Sequence, residues 1–147
     1  MKDYPDKLKE FLDIWGLTAD ETERVSNLIS YADRFKEVPP EVARRPFPKE
    51  HQVPFCESEA YVWIAQKPDK TLKFYFAVEN PSGISAKALA VILDKTLSGA
   101  PPEQVASVSP DIVEKIFREN ISMGKGMGLM SMVQMVRRLA VEACTRR

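Results

Sequence analysis

Residues 59–79 have the sequence EAYVWIAQKPDKTLKFYFAVE, in which two runs rich in aromatic and β-branched side chains flank residues 67–70, KPDK. Such side chains favour strands, whereas proline and aspartate favour turns. The stretch predicts an antiparallel hairpin with strands over Glu59–Gln66 and Thr71–Glu79. Helical patterns lie on both sides of this hairpin in the sequence.

Two helices are predicted before the hairpin. Apolar residues recur at helical spacing from Leu8 to Trp15, and Gly16 provides a C-terminal stop. Thr18 and Glu21 have the spacing of a capping box, which predicts the start of the second helix. The apolar stripe of this second helix consists of Val25, Leu28, Ile29 and Ala32.

Three further helices are predicted after the hairpin. The segment Ile84–Leu97 is rich in alanine and leucine, which predicts a largely buried helix. Ser109 and Pro110 provide a cap and a proline at the first position of a short helix that ends near Asn120. Residues 122–128, SMGKGMG, predict a flexible turn, after which a closing helix begins at Leu129.

A long, stiff loop precedes the hairpin. Between Glu37 and Pro54 the chain contains five prolines, which remove backbone donors and favour extended geometry in the residues before them. Loops of this length without regular structure are uncommon in compact domains and are more often functional. Cys56 follows directly, at a junction between loop and strand that can present a side chain to a partner.

The composition limits the classes of function. The 147 residues include 21 Lys and Arg and 21 Asp and Glu, so a general attraction to nucleic acid or anionic lipid is not expected. The longest apolar run, 88–93, is far shorter than the ~20 residues that span a bilayer, and residues 1–5 lack an apolar signal core. We expect one cytoplasmic domain over residues 1–147, with neither a nucleic acid nor a membrane as partner.

The chain has two cysteines, Cys56 and Cys144, without a CxxC spacing. A reducing compartment leaves both as thiols. A thiolate is a strong nucleophile and a soft acceptor of sulfur, so Cys56 is the leading candidate for chemistry. The alternative is a small buried hydrophobe, the usual state of a free cysteine, and Cys144 fits that role beside the apolar stripe of the last helix.

His51 is the only histidine and lies five residues before Cys56. A cysteine-dependent hydrolase needs an imidazole that activates the thiol, so these two residues define an alternative function. A solvated histidine in a proline-rich loop is the simpler interpretation. Without further histidines, a zinc site or an iron–sulfur cluster held by this chain alone is not expected.

The segment Gly124–Gly128 contains three glycines and Lys125 before a helical pattern. It is not a Walker loop, because Gly126 stands where that motif requires serine or threonine. Lys125 and the N-terminus of the helix would create a positive pocket that favours a thiolate or a persulfide anion. A plain flexible turn is the other interpretation.

Three segments together resemble the SufE family. They are residues 51–59, HQVPFCESE, residues 76–89, FAVENPSGISAKAL, and residues 124–133, GKGMGLMSMV. Their order and spacing match the active-site segment, the strand with its following helix, and the last turn and helix of that family. The similarity covers nearly the whole chain after the first helix.

The resemblance implies an α+β fold, a small antiparallel sheet covered by helices, that is shared with IscU-type scaffolds. It places Cys56 at the position that accepts sulfur as a persulfide from a SufS-type cysteine desulfurase and relays it to an iron–sulfur cluster scaffold complex. The resemblance also implies that the chain activates this desulfurase by speeding its turnover. Pyridoxal phosphate belongs to that desulfurase, and no cofactor is expected in this chain. The scaffolds carry three cluster-ligating cysteines, which this chain lacks, and dimerisation stays open.

Five residues around Cys56 are predicted contacts of the persulfide or of the partner: His51, Ser58, Lys125, Gly126 and Gly128. The chain also departs from the family pattern, which commonly has glycine before the cysteine and glutamine after it, where this chain has Phe55 and Glu57. Arginine is common at the position of Lys125. The competing hypotheses are a sulfur acceptor, a free-standing hydrolase, and an interaction module whose thiol is inert.

Overall fold

The computed structural model describes residues 3–18, 20–118 and 121–146. This part of the chain forms six α-helices and a two-stranded antiparallel sheet, so the predicted α+β class is confirmed. In chain order the elements are α1 Asp6–Gly16, α2 Glu21–Asp33, a 3-10 turn Lys49–His51, β1 Ala60–Gln66, β2 Leu72–Val78, α3 Ile84–Leu97, α4 Pro102–Ala106, α5 Ile112–Phe117 and α6 Met123–Thr145.

The hairpin has one face toward the helices. Ala60 pairs with Val78 and Gln66 pairs with Leu72, so the strands start and end within one residue of the predicted bounds. Alternation along the strands directs one set of side chains, including that of Phe74, into the main core. Helix α3 packs on β2 and α6 packs on β1. The two helices therefore meet beside the N-terminal end of β1, where the chain arrives from Cys56.

The proline loop, residues 37–54, covers the opposite face of the hairpin. Val38, Phe47, Trp63 and Ala77 form a second buried cluster between the loop and the strands. The ring centroids of Phe47 and Trp63 lie 5.0 Å apart, and the amide of Val38 donates to Phe76 O at 2.8 Å. The loop is thus a packed layer whose last residues lead to the cysteine.

Arg45 joins the beginning of the proline loop to the end of β2. Its guanidinium donates to the carboxylates of Glu37 and Glu79 and lies over the ring of Phe47, 4.9 Å from the centroid. Hydrogen bonds from Arg45 to Glu37 and then to Glu79 raise the pKa of Arg45 above its ordinary value. Because these side chains are partly exposed, solvent screens the network and it adds little to the stability of the fold.

The capping box predicted for α2 is wrong. The N-cap is Asp20, whose Oδ1 accepts a hydrogen bond from the amide of Thr22 at 2.9 Å, and the helix begins at Glu21. Aspartate is as good an N-cap as serine or threonine, and it stands closer to the helix than Thr18 does. The helix start is therefore displaced along the chain by about half a turn from the predicted position.

The predicted apolar stripe of α2 is only partly correct. Leu28 and Ala32 are buried, but Val25 and Ile29 are exposed by 36% and 47%. The third buried residue of the helix is Arg24, one turn before Leu28. A stripe in which residues recur every four positions faces α3, and the i+1 positions turn toward solvent.

The predicted flexible turn over residues 122–128 is also wrong. Helix α6 begins at Met123, and the hydroxyl of Ser122 accepts a hydrogen bond from the amide of Lys125 at 3.3 Å. Gly124, Gly126 and Gly128 therefore lie within the helix. Serine capping and packing of the long helix outweigh the helix penalty of glycine, which is about 1 kcal/mol per residue.

Three smaller differences concern helix ends. Gly16 belongs to α1, whose C-cap is Leu17. Helix α5 begins at Ile112, two residues beyond Pro110, and its predicted end near Asn120 lies outside the described residues. Helix α4 was not predicted, although its proline at the first turn is a typical helix start. Among the described residues, no helix is both long and apolar enough to cross a membrane.

Candidate functional site

Cys56 is half-buried beside a small cavity of about 120 Å³, which we call the thiol cavity. Three parts of the chain line it: the loop around the cysteine, the turn from β2 into α3, and the first two turns of α6. The lining residues are Cys56, Glu57, Ser58, Asn80, Ser82, Gly83, Ile84, Ser85, Ala86, Gly124, Lys125, Gly128 and Leu129. Elements that are distant in sequence thus meet at one thiol.

The thiol loop, residues 54–59, is a tight turn between the proline loop and β1. The amide of Val53 donates to Ala60 O at 2.8 Å, and the amide of Glu59 donates to Cys56 O at 3.1 Å. Phe55 and Glu59 have φ of 59° and 52°, in the left-handed region that favours glycine. Phe55 occupies the position where the SufE pattern commonly has glycine, so this chain pays a local conformational cost of roughly 1–2 kcal/mol there.

Gly128 allows α6 to approach the backbone of the thiol loop. A Cβ atom at this position would lie 2.9 Å from Phe55 O and 3.0 Å from Cys56 Cα. Both neighbours are backbone atoms, which cannot move aside as the end of a side chain can. Only glycine permits this approach, and the helix therefore closes over the cysteine.

Gly83 allows a close approach on the other side of the thiol loop, where its neighbours are side-chain atoms. A Cβ atom here would lie 2.9 Å from Val78 Cγ1 and 3.0 Å from Ser58 Cβ. The amide of Asn80 also donates to Ser58 O at 3.1 Å. The turn between β2 and α3 thus packs directly against the residues that follow the cysteine.

Two helix N-termini face the thiol cavity. The first residues of α3 line it, and their N-cap, Gly83, provides no side-chain cap. Gly124 and Lys125 bring the first turn of α6 to the same cavity. Helix N-termini have unpaired amide donors and a partial positive charge, to which Lys125 adds a full charge. The carboxylate of Glu57 lies in the same lining and offsets the charge of Lys125, so the positive character of the cavity comes from the two helix ends. These ends suit the cavity to an anion, such as a thiolate or a persulfide.

The structure brings together four of the six predicted site residues. Cys56, Ser58, Lys125 and Gly128 all line the thiol cavity, whereas Gly126 does not. A Cβ atom at Gly126 would instead meet Ile121 Cδ1 at 3.4 Å.

His51 is absent from the cavity lining and has a structural environment. Its Nδ1 lies 3.0 Å from Val62 O, and its ring stacks on Trp63 with centroids 5.2 Å apart. The histidine therefore ties the end of the proline loop to β1. Cys144 is half-buried in the last turn of α6, also outside the lining.

Sequence reasoning missed the contribution of the β2–α3 turn. Asn80, Ser82 and Ser85 provide polar groups at the cavity, and Gly83 provides the close approach. The signal was present as residues 80–83, NPSG, which predict a turn before a helix without showing what that turn contacts. Within the described part of the chain, no cluster of three or more His, Cys, Asp or Glu side chains is placed to hold a metal.

Fold and site together define a small α+β protein that offers one thiol beside a cavity suited to an anion. Residues 9–140 match the family described as SufE, Fe-S metabolism associated domain. The chain belongs to the SufE family, and its role lies in Fe–S metabolism.

Two known proteins are similar over nearly the whole chain. The SufE-like protein 1, chloroplastic/mitochondrial, of Arabidopsis thaliana is 22% identical over 142 residues, which are 96% of this chain and 36% of that protein. The solution structure of a hypothetical protein from Thermus thermophilus has a TM-score of 0.76 at 24% identity, covering 97% of this chain and 98% of that chain. The first relative is therefore much longer than this chain, and the second defines the fold alone.

Proposed function

We propose that this chain accepts a sulfur atom as a persulfide on Cys56 from a cysteine desulfurase, stimulates the turnover of that enzyme, and relays the sulfur to iron–sulfur cluster assembly. The observation that carries the proposal is the placement of a half-buried thiol beside the positive ends of α3 and α6. Membership of a family associated with Fe–S metabolism supports the same assignment. The whole stretch of residues 1–147 would act as one acceptor domain.

The proposed step is a thiol–persulfide exchange. The Cys56 thiolate attacks the outer sulfur of a persulfide on the partner's cysteine, so a new S–S bond forms on Cys56. The S–S bond of the donor breaks, and the donor cysteine leaves as a thiolate. One outer sulfur atom changes its carrier, and no external oxidant or reductant is required.

The thiol cavity supports this chemistry in two ways. A cavity needs only ~10–15 Å³ to hold a water molecule, so about 120 Å³ leaves room for one additional sulfur on Cys56. The amide donors of the helix ends and the charge of Lys125 stabilise an anionic persulfide in that space. Together they would keep the sulfur away from stray thiols between donor and acceptor.

The proposed partners follow from the same chemistry. The donor would be a SufS-type cysteine desulfurase, which carries the pyridoxal phosphate, so this chain needs no cofactor of its own. The recipient would be an iron–sulfur cluster scaffold complex. A cytoplasmic location suits the function because a reducing compartment keeps Cys56 as a thiol when it is unloaded.

Intact-mass spectrometry tests the proposal directly. After incubation with a cysteine desulfurase, pyridoxal phosphate and cysteine, we expect the mass of the chain to increase by one sulfur atom. Peptide mapping should then locate this sulfur on Cys56. An unmodified chain, or sulfur found equally on Cys144, would contradict the proposal. Hydrolysis of an ester or amide by the chain alone would favour the hydrolase hypothesis.

We expect that His51→Ala preserves sulfur acceptance within about threefold but lowers the free energy of unfolding by about 1–2 kcal/mol. The variant loses the hydrogen bond to Val62 O and the stacking on Trp63, and neither contact reaches the thiol cavity. Chemical denaturation and the mass assay measure the two effects. A loss of sulfur acceptance as complete as that of Cys56→Ser would identify His51 as a general base instead.

We expect that Lys125→Glu slows sulfur acceptance by about tenfold, whereas Lys125→Arg stays within about threefold of the parent chain. The first change reverses the charge at the thiol cavity, and the second preserves it. Arg146→Glu, an exposed charge reversal at the far end of α6, is the matched control. Equal rates for Lys125→Glu and Arg146→Glu would show that the charge at position 125 is irrelevant.

A further inference from the structure

A depression larger than the thiol cavity lies between α1 and α2, which both pack on α3. This helix groove has a volume of about 620 Å³. Its floor is an aromatic cluster in which Phe11 stacks on Trp15 at 5.4 Å and meets Tyr31 edge-on at 6.0 Å. Trp15 is fixed there because its Nε1 donates to Ile116 O at 2.9 Å. The floor is therefore a preformed apolar surface.

The walls of the helix groove carry an excess of positive charge. Three cations, Lys7, Arg34 and Lys95, line it together with one carboxylate, Glu10. Arg34 and Lys95 both lie over the ring of Tyr31, 5.3 Å and 5.6 Å from its centroid.

Within the described ranges, neither Arg34 nor Lys95 forms an ion pair with a carboxylate. Two like charges held near one ring repel each other, and a carboxylate close to either of them would relieve that repulsion. The groove therefore attracts carboxylates from outside the chain.

We propose that the helix groove binds an acidic amphipathic helix of a partner protein. The lining runs along α1 from Lys7 to Trp15, which corresponds to about 12 Å, or roughly two helical turns. Ile14, at the edge of this groove, is 69% exposed, as expected of a side chain that a partner would cover. Apolar side chains at i, i+3 or i+4, and i+7 would lie on the aromatic floor, and flanking carboxylates would meet Arg34 and Lys95.

The helix groove is separate from the thiol cavity. Along α3, the cavity contacts residues 84–86, whereas the groove contacts Lys95 and Thr96. Ala86 and Lys95 are nine positions apart, which corresponds to about 14 Å along the helix axis. A partner in the groove could therefore stay bound while Cys56 faces a sulfur donor, and this binding does not depend on sulfur transfer.

Selection from a phage-displayed library of helical peptides of about 16 residues, with the full chain as target, tests the proposal. Counter-selection uses Arg34→Glu combined with Lys95→Glu. We expect enriched peptides that combine apolar side chains at helical spacing with flanking Asp or Glu. By fluorescence anisotropy, their affinity should fall about tenfold in this double variant and also in Ile14→Ser.

The matched control is Arg44→Glu combined with Lys67→Glu, which changes the net charge equally at exposed positions outside the helix groove. It should alter peptide affinity by about threefold or less, and Cys56→Ser should leave it unchanged. Enrichment of basic peptides, or of peptides that bind the double variant equally well, would overturn the proposal. If the chain forms a dimer that Arg34→Glu combined with Lys95→Glu abolishes and the control variant does not, a second copy of the chain is the occupant of the groove instead.

Discussion

Cys56→Ser is expected to abolish the gain of sulfur in the mass assay and the stimulation of the desulfurase. A hydroxyl at this position cannot form a persulfide, and the replacement differs from cysteine by a single atom at a half-buried site. The fold should therefore be retained, and thermal unfolding by circular dichroism checks that it is. Loss of function without loss of fold would locate the chemistry at this sulfur.

Cys144→Ser is the matched control because it removes the chain's other thiol, which lies outside the thiol cavity. It should accept sulfur at nearly the rate of the parent chain. Equal loss in both variants would mean that sulfur passes through both cysteines. Full acceptance by Cys56→Ser would remove the basis of the proposed function.

Gly128→Ala is expected to expose Cys56 in the free protein. The added Cβ would lie 2.9 Å from Phe55 O and 3.0 Å from Cys56 Cα, so either the thiol loop or α6 must move. Overpacking of this kind costs about 1–3 kcal/mol. If about 1.4 kcal/mol of that cost falls on the closed position of the loop, the exposed fraction of Cys56 rises about tenfold.

The alkylation rate of Cys56 measures this exposure, taken above about pH 8.5, where a free thiol is mostly ionised. We expect Gly128→Ala to raise that rate about tenfold and to lower the free energy of unfolding. A persulfide sulfur on Cys56 of this variant should also be lost faster to added thiols, because the loop covers the sulfur less well.

Gly124→Ala controls for the effect of alanine itself. Gly124 lies in the first turn of the same helix, and a Cβ there would meet nothing within 4 Å. Alanine favours helix over glycine by up to about 1 kcal/mol, so this variant should be as stable as the parent chain or slightly more stable. Equal alkylation rates in Gly124→Ala and Gly128→Ala would show that Gly128 does not close the loop.

The strained backbone at Phe55 favours opening of the thiol loop, as Gly128→Ala is expected to do. Its left-handed backbone, with φ of 59°, is present while the loop is closed, and its ring is 77% exposed. The closed loop is thus held by contacts from Gly83 and Gly128 against a local preference for other conformations. A glycine at this position, as in the family pattern, would adopt the left-handed backbone without strain. The contacts that keep the loop closed must therefore offset more free energy in this chain.

The local sequence was sufficient to predict the helices and strands whose formation depends on neighbouring residues. The hairpin was predicted to within one residue at each end, and Ile84–Leu97 was predicted with the bounds that the structure shows. Runs of aromatic and β-branched side chains, and a segment rich in alanine and leucine, express preferences of the backbone over a few residues. The three segments that resemble the SufE family likewise pointed to Cys56, and the family is confirmed.

Only the tertiary structure decided what the thiol contacts. Gly128 is required because a backbone 72 positions earlier, at Cys56, comes within van der Waals distance, and the glycines in residues 122–128 by themselves indicated a turn. The same holds for Gly83 against Ser58, and for the placement of His51 outside the thiol cavity. Contacts between segments that are distant in sequence depend on how helices and strands pack, and a local pattern contains no information about the surface that it will meet.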